Sequence, residues 1–339
     1  MTIYYFESNN RSVTSYYLGT IIEALRNCGF HVAPLPDISV KHVWKLSRKR
    51  TWFLTTGHKD IATLSMMGFG NFIHWFQGLP AEEDYMRTHS LWRKRAIGML
   101  DRTSAKRCRF AFFVSEQMRD YYRTRFGAAL PHSFIMPCFN EQLNPDAFFT
   151  PGKYEQNTFC YVGSATDAWQ CFDEMVTLYS QIEAAHPDCR LKIITRDADE
   201  AQAIADAHDL RNVTIKSVEQ QQVAHEIADC KFGFLLRKNH IVNNVATPTK
   251  MANYLANGVM PIFSDALSAY APLAQQHPFM HMVNESNVRD MVEQAVKATY
   301  DPHQVLNAYQ QIFDTHFNRS RYVTDIQSQL QQFFDDRQE

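Results

Sequence analysis

The residues best placed to do chemistry are cations around the start of one predicted helix. A predicted buried strand ends at Arg237 and Lys238, and a polar loop follows it. Pro248 then stands where a helix can begin, which puts Lys250 in its first turn. A cation at a helix N-terminus opposes the helix dipole, so Lys250 makes sense there if an anion lies between its ammonium and the helix end. A phosphate fits, and Arg237 and Lys238 could donate charge-assisted hydrogen bonds to the same diphosphate. The alternative is an exposed lysine on a helix that Pro248 starts.

A second polar group follows the fourth predicted strand. His74, Gln77 and Gly78 lie at its carboxyl end, and a lone histidine there either contacts a bound ligand or only packs in the core. Glu82 and Glu83 come next in the chain. One of these carboxylates could orient or deprotonate a hydroxyl of a bound substrate. A helix N-terminus explains the pair equally well.

A D-x-D pattern, Asp197 and Asp199, follows another predicted strand. Two carboxylates at this spacing can bind a metal ion together with a diphosphate. Because the next residues begin a helix, acidic residues at a helix N-terminus are the simpler interpretation.

Short apolar runs alternate with helical stretches along the chain, a pattern typical of α/β folds with parallel sheets. Strands are predicted at Ile3–Phe6, His31–Pro34, Thr51–Leu54, Phe72–Phe76, Phe110–Val114, Thr158–Val162, Leu191–Thr195, Val213–Lys216, Phe232–Leu236 and Met260–Phe263. Pro and Gly interrupt the pattern between residues 144 and 157, which indicates a linker. We therefore predict two Rossmann-like, doubly wound domains, residues 1–148 and 149–318, and a helix within 319–339 that packs back across their junction. The carboxyl ends of both sheets would face one central cleft, where ligands of such folds bind.

Composition excludes several classes of protein. The 339 residues are 45% hydrophobic and 21% charged, which is ordinary for a globular protein and excludes a disordered or collagen-like chain. The seven cysteines are scattered and never spaced C-x-x-C, which argues against a disulfide framework and a zinc site. No apolar window is long enough for a membrane span, and no signal peptide is recognisable, so a cytoplasmic location is expected.

Charge is distributed unevenly along the chain. Residues 1–148 carry 19 Lys and Arg against 12 Asp and Glu, a balance of +7, whereas the remainder carries 15 against 24, a balance of −9. Many of the cations lie between Arg93 and Arg109, partly in a long helix predicted within Tyr85–Arg107. Such a face could meet an anionic membrane surface, a nucleic acid or an anionic ligand, or it could be a solvated helix face. No nucleic-acid motif is present, so no nucleic-acid partner is expected.

The segment 248–261 resembles the donor-site segment of GT-B glycosyltransferases of the family 4 kind. That pattern, P-x-K-x-x-E-Y-L-A-x-G-x-P, is matched at Pro248, Lys250, Tyr254, Leu255, Ala256 and Gly258, with Thr249 at its first open position; its last proline stands one residue later here, as Pro261. Asn253 stands where the pattern has the glutamate that binds the ribose, and Val245 stands where a partner glutamate lies eight residues earlier. Asparagine can still donate to and accept from a pair of hydroxyls.

The resemblance extends to other segments. Residues 72–83 are similar to a W-x-Q-G…E-E segment of bacterial polysaccharide transferases, and residues 112–118 to the strand–serine–helix step that follows it. Gly163 and Ser164 resemble the family's glycine loop, where glycine lets the backbone approach the diphosphate. The Arg and Lys that often follow this loop in the family are absent here, because residues 167–170 stand in their place. Arg237, Lys238 and Lys250 would therefore have to bind the diphosphate instead. The segment 7–12 takes the position of the acceptor-side loop.

The resemblance implies a two-domain transferase that moves a sugar from a UDP- or GDP-linked donor to a glycan or lipid-linked acceptor in bacterial surface polysaccharide synthesis. It further implies a retaining reaction without a metal or other cofactor, in which Lys250 and Arg237 stabilise the diphosphate. The implied catalytic residues are His74, Glu82, Arg237 and Lys250; the donor-binding residues Gly163, Ser164, Arg196, Arg237, Lys238, Pro248, Thr249, Lys250 and Asn253; and the acceptor-side residues Asn10, Arg11, Gln77, Gly78 and Glu83. The basic first domain could attach peripherally to the inner face of the cytoplasmic membrane. Two alternatives stay open: a non-catalytic partner subunit, and a metal-dependent transferase that uses Asp197 and Asp199.

Overall fold

The computed structural model describes residues 1–6 and 12–337, with side chains from residue 15 onward in the first helix. Contacts divide the chain into two compact units. The first is Met1–Asn140 together with Asn318–Glu339, and the second is Glu141–Phe317. Each unit contains one six-stranded parallel sheet with helices, so the predicted α/β fold class is confirmed.

The sheet of the first unit has the strand order β2-β1-β3-β4-β5-β6. Its strands are β1 Thr2–Phe6, β2 His31–Leu35, β3 Thr51–Thr55, β4 Phe72–Phe76, β5 Phe110–Phe113 and β6 Ser133–Ile135. Its helices up to residue 140 are α1 Ser12–Asn27, α2 Val40–Val43, α3 His58–Met66, α4 Pro80–Thr88, α5 Leu91–Arg107 and α6 Glu116–Phe126. Every residue of β3, β4 and β5 is buried, as expected for central parallel strands covered on both faces.

The sheet of the second unit has the strand order β12-β11-β10-β7-β8-β9. Its strands are β7 Thr158–Val162, β8 Arg190–Ile194, β9 Val213–Lys216, β10 Phe232–Leu235, β11 Met260–Ser264 and β12 His281–Val283. Its helices are α7 Phe172–Ala185, α8 Ala198–Ala207, α9 Val223–Ile227, α10 Ile241–Asn244, α11 Thr249–Ala256, α12 Ala271–Gln276, α13 Val288–Lys297 and α14 Pro302–Thr315.

The last helix, α15 Arg319–Asp335, belongs to the first unit. It packs against α1, where Arg319 pairs with Glu23 at 2.6 Å. Near its end, the rings of Phe333 and Phe334 meet the Trp52 ring edge-on, with centroids 5.8 and 5.0 Å away. The core of the first unit is therefore completed by a helix from the far end of the chain.

All ten predicted strands are present, with bounds that agree within one residue at either end. Two further strands, β6 and β12, lie at sheet edges and have only three residues each, so no apolar pattern predicts them. The long helix predicted within Tyr85–Arg107 is confirmed as α5, Leu91–Arg107. A separate helix, α4, precedes it: His89, in the left-handed conformation at φ 52°, ends α4, and Ser90 begins α5.

Candidate anion-binding site

Two structural elements of the second unit position the cations. The Ser264 hydroxyl accepts a hydrogen bond from the Arg237 backbone N–H at 2.8 Å, which fixes the chain just beyond β10. Helix α11 begins after Pro248, and Lys250 is its second residue. The Tyr254 hydroxyl donates to the Phe234 carbonyl at 3.1 Å and accepts from the Val162 N–H at 3.2 Å. This tyrosine therefore ties α11 to both β10 and β7.

Lys250 and Arg237 meet at the side chain of Gln170. The Lys250 ammonium donates to Gln170 Oε1 at 2.5 Å, and Arg237 Nη2 donates to the same oxygen at 2.8 Å. Arg237 Nη1 also donates to the Gln170 backbone carbonyl at 3.1 Å. One neutral amide thus joins two cations.

The glycine loop lies directly against this pair. Gly163 has φ +148°, a conformation that favours glycine, and a Cβ at this position would collide with the Lys250 ammonium. The Lys250 ammonium also lies 5.1 Å from the centroid of the Tyr161 ring, within cation–π range. Only glycine leaves room at residue 163 for the ammonium to lie against the backbone.

The cation pair lacks a matching negative charge. Among the described residues, neither Lys250 nor Arg237 forms an ion pair with a carboxylate, although only 7% of Arg237 is exposed. Burial, followed by the charge of Arg237, holds the pKa of Lys250 well below its usual value, and Asp167 offsets this in part. Burial also lowers the pKa of Arg237. Because two close cations in a low-dielectric site repel each other, an anion bound between them would be strongly favoured.

Asp197 organises the glycine loop. Its carboxylate accepts hydrogen bonds from the Ser164 hydroxyl at 2.6 Å, the Ala165 N–H at 2.9 Å and the Thr166 hydroxyl at 3.3 Å. The hydrogen bond from Ser164 is the main reason that the pKa of Asp197 is lowered. Asp197 directly precedes α8, so the interpretation as the start of a helix is confirmed, although its side chain bonds to the glycine loop and caps no helix N–H.

The D-x-D pattern does not form a cluster. Asp199 lies in the first turn of α8 and is exposed. Within residues 1–6 and 12–337, no group of three or more His, Cys, Asp or Glu side chains is arranged to hold a metal ion.

The remaining predicted donor residues lie at different places in the second unit. Lys238 is exposed and pairs with Glu174 at 2.5 Å, and Arg196 is exposed as well. Asn253 is 5% exposed, and its buried Oδ1 has no hydrogen-bond partner among the described residues. Pro248 and Thr249 form the start of α11 and are half-buried.

An open cavity of about 560 Å³ adjoins Arg237. It lies at the carboxyl ends of β10, β11 and β12, and its lining combines apolar side chains with polar and charged ones: Cys171, Glu174, Leu178, Leu236, Arg237, Lys238, Asn239, Ser264, Asp265, Val283, Asn284, Glu285, Ser286 and Val288. The volume falls within the range of small-molecule sites.

The predicted residues of the first unit are engaged in packing. His74 is fully buried, with its Nδ1 2.7 Å from the Thr55 hydroxyl, and burial holds its pKa well below the usual value. Glu82 is buried. Its carboxylate accepts a hydrogen bond from the Tyr121 hydroxyl at 3.1 Å and forms an ion pair with Lys94 at 2.6 Å. Glu82 therefore has protein partners already, whereas the buried Nε2 of His74 has no hydrogen-bond partner among the described residues.

Glu83 stabilises the start of α4. Its carboxylate accepts the Leu79 N–H at 2.9 Å and lies against Gly78, and burial raises its pKa. Gln77 is exposed. Asn10 and Arg11 lie outside the described residues.

Sequence reasoning missed two parts of the structure. Gln170 was noted only as a departure from the family pattern, because an amide carries no charge that would mark it as a partner for cations. His58 Nδ1 and Asp101 Oδ1 lie 2.9 Å apart in the interior, beside the His74 ring. These two residues are far apart in sequence, and Asp101 lies inside a basic helix, so no local pattern indicates the pair.

Comparisons with known proteins bear on the fold. No protein-family model matches the sequence, and no curated protein matches it significantly. The structure is similar to sucrose-phosphate synthase from Thermosynechococcus elongatus, with a TM-score of 0.71, 13% identity, and coverage of 99% of this chain and 100% of that one. It is also similar to WaaG, described as a glycosyltransferase involved in lipopolysaccharide biosynthesis, with a TM-score of 0.65, 10% identity, and coverage of 96% and 99%. The fold is GT-B-like.

A third similar structure is a variant of TarM from S. aureus in complex with fondaparinux, α-GlcNAc-glycerol and UDP. Its TM-score is 0.61 and its identity 9%, over 84% of this chain. The chain spans about half the length of TarM, 55%. At these identities the likeness establishes the GT-B-like fold and leaves the chemistry to the residues of this chain.

Proposed function

We propose that the protein is a glycosyltransferase that uses a nucleoside-diphosphate sugar, linked to UDP or GDP, as its donor. The observation that carries this proposal is the pair of cations, Lys250 and Arg237, which share a neutral amide oxygen and have no carboxylate partner among the described residues. A diphosphate supplies the missing charge. The GT-B-like fold supports the choice of a nucleotide-sugar over other anions, since TarM, a neighbour with this fold, was solved with UDP bound.

The cations act on the leaving group. When the bond between sugar and diphosphate breaks, negative charge grows on the β-phosphate, and the two cations stabilise that charge in the transition state. The diphosphate oxygens take the place of Gln170 Oε1 on Lys250 and Arg237. Gly163 leaves room for the diphosphate to approach the backbone near the ammonium.

The nucleoside occupies the cavity beside Arg237 in this proposal. The cavity has apolar walls against which a base can pack and polar groups that can fix its orientation. Asn253 takes the role of the family's glutamate toward the ribose hydroxyls, because its amide can both donate and accept. Its buried oxygen without a partner is consistent with a ligand hydroxyl as donor.

The finer parts of the proposal come from the resemblance. The reaction retains the anomeric configuration, needs no metal ion, and uses a β-phosphate oxygen to assist the incoming hydroxyl. The acceptor is a glycan or a lipid-linked glycan in bacterial surface polysaccharide synthesis, handled by the first unit at the cytoplasmic face of a membrane. The structural neighbour WaaG is described as a glycosyltransferase involved in lipopolysaccharide biosynthesis, which supports the choice of a surface polysaccharide as acceptor. Chelation by EDTA should leave turnover unchanged; loss of turnover that manganese restores would indicate the metal-dependent alternative.

Nucleotide binding tests the proposal. UDP or GDP should raise the melting temperature of the protein saturably, because a ligand that binds only the folded state stabilises it. Lys250→Ala should lower nucleotide affinity by about tenfold or more while the protein stays folded, since a charge-assisted bond to phosphate is lost. Lys297→Ala is the matched control, because Lys297 forms only an exposed pair with Glu293.

Two results would contradict the proposal. An equal loss of affinity in Lys297→Ala and Lys250→Ala would mean that the binding depends on overall charge. Absence of both nucleotide protection and hydrolysis across a panel of UDP- and GDP-sugars would favour the non-catalytic subunit, in which Asn253 and Val245 mark lost chemistry.

A further inference from the structure

Helix α5 presents an unusual stripe to solvent. Trp92, Arg95, Met99, Arg102 and Lys106 are all exposed, and their spacing of three and four residues places them along one face of the helix. Trp92 is 76% exposed and Met99 is 68% exposed. We call these five residues the α5 stripe.

The opposite face of α5 holds the helix in place. Asp101, Ser104 and Ala105 are buried, and α5 packs against α3 and α4. The stripe is therefore presented by a helix of 17 residues, about 26 Å long, with a fixed orientation in the first unit.

Two cations of this region are already neutralised by α4. Arg93 makes a two-point contact with Asp84, at 2.9 Å from Nε and 2.6 Å from Nη2, and this contact lowers the pKa of Asp84 to about 2. Lys94 pairs with Glu82 at 2.6 Å. Both residues fasten α5 to α4, so they contribute little free charge to the surface.

The cations of the stripe itself stay unneutralised. Across the part of the chain that the structure describes, Arg95, Arg102 and Lys106 form no ion pair with a carboxylate. Arg125, which is exposed near the end of α6, likewise forms no ion pair with a carboxylate among the described residues. A groove of about 940 Å³ runs between the stripe and Phe126, beside Arg125. Exposed apolar side chains thus lie among free positive charges.

We infer that the α5 stripe docks on an anionic phospholipid bilayer. The cations match the charge of the headgroups, and arginine and lysine near such a surface are attracted to it. Trp92 and Met99, with Leu91 at 57% exposure, can enter the boundary between headgroups and acyl chains, where tryptophan is favoured. A nucleic acid or an acidic protein would satisfy the charges but would gain less from this apolar component. The inference deepens the proposed function, on which it rests for the placement of the first unit at a membrane, by naming the residues that make the contact.

Vesicle sedimentation tests the inference with the full chain. The protein should bind phosphatidylcholine vesicles that contain phosphatidylglycerol, bind pure phosphatidylcholine far less, and dissociate as salt rises. Arg95→Ser with Arg102→Ser should lower partition about 25-fold, at about fivefold for each charge. Trp92→Ala should lower it about tenfold. Arg190→Ser with Arg289→Ser, which removes two exposed charges from the second unit, should leave partition unchanged.

Fluorescence supplies a readout at the stripe itself. Emission of the wild-type protein should shift to shorter wavelength on anionic vesicles, and the shift should be lost in Trp92→Phe. Equal partition onto both vesicle types, an equal loss in the Arg190/Arg289 control, or tighter binding to a single- or double-stranded oligonucleotide than to anionic vesicles would each overturn the inference. Melting curves confirm that each variant is folded, and UDP protection measured in parallel reports separately on the proposed function.

Discussion

At the scale of single residues, the candidate site depends on the charge state of Lys250. A cation that is half-buried beside Arg237 gives up its proton more readily than a free lysine. A bound diphosphate reverses this effect, because it favours the charged ammonium. Binding of nucleotide and protonation of Lys250 are therefore coupled.

This coupling predicts a pH dependence of nucleotide affinity. As pH rises above the lowered pKa of Lys250 in the nucleotide-free protein, UDP affinity should fall by up to about tenfold per pH unit, since binding must then take up a proton. Titration calorimetry in buffers of different ionisation enthalpy measures this uptake. The uptake should disappear in Lys250→Ala, and its persistence there would assign the coupling to another group.

The lowered pKa of Lys250 also makes the stability of the nucleotide-free protein depend on pH. Because the pKa of Lys250 is lower in the folded protein than the usual 10.5, the charged side chain costs stability below its lowered pKa. In the nucleotide-free protein, this cost should decrease as pH rises from the lowered pKa toward 10.5. Urea unfolding of wild type and Lys250→Ala across this range separates the contribution of Lys250 from that of other groups.

Gln170 gives a second prediction at this scale. Gln170→Glu places a carboxylate between Lys250 and Arg237, so the nucleotide-free protein should become more stable and UDP affinity should fall by about tenfold. Gln170→Ala removes the competing oxygen without adding charge and should not weaken binding. If Gln170→Ala weakened UDP binding as much as Gln170→Glu does, Gln170 would be a ligand of the nucleotide. Melting temperatures with and without UDP measure both effects.

At the scale of elements, the sequence predicts what local patterns determine. Central strands such as β4 are continuous apolar runs, and Pro248 marks the start of α11. Both the strand and the helix start can therefore be predicted from the sequence. The edge strands β6 and β12 have only three residues each, too few to establish a period. The break between α4 and α5 depends on His89 in a left-handed conformation, which histidine adopts without an obvious signal in the sequence.

The residues of the candidate site, like the helices and strands, could be predicted from the sequence only where a local pattern marks them. Cations carry a signal in the sequence because their position conflicts with the helix dipole, and this identified Lys250. Tertiary contacts decide the rest: Glu82 and Glu83 bond within the first unit, Asp197 bonds to the glycine loop, and His74 is enclosed. A single sequence does not contain these contacts.

The close approach of the glycine loop to the Lys250 ammonium can be tested at Gly163. Gly163→Ala should destabilise the protein by about 1 kcal/mol or more through its positive φ and should also push the Lys250 ammonium away, so that nucleotide affinity falls. Gly70→Ala is the control, because no atom lies within 4 Å of the added Cβ. Urea unfolding and UDP titration of both variants measure the two effects. Wild-type affinity in Gly163→Ala would show that the ammonium position next to the loop is unimportant.

At the scale of the whole molecule, the two units differ in how the chain builds them. The second unit is one continuous segment, and it contains every residue of the candidate anion site. The first unit needs α15 from the far end of the chain, whose Phe333 and Phe334 pack on Trp52. The two units thus have separate cores.

Separate cores predict two thermal transitions, and only one of them should respond to nucleotide. Trp52→Ala removes a ring that is 6% exposed and should destabilise the first unit by about 3–5 kcal/mol. UDP should still raise the other transition by the wild-type amount, because the anion site lies in the second unit. Phe159→Ala is the reciprocal variant, since its ring stacks on Phe234 in the second sheet at 5.3 Å. Scanning calorimetry with and without UDP checks both. A single transition that either variant lowers as a whole would mean that the units unfold as one cooperative body, so that damage to the core around α15 is transmitted to the anion site.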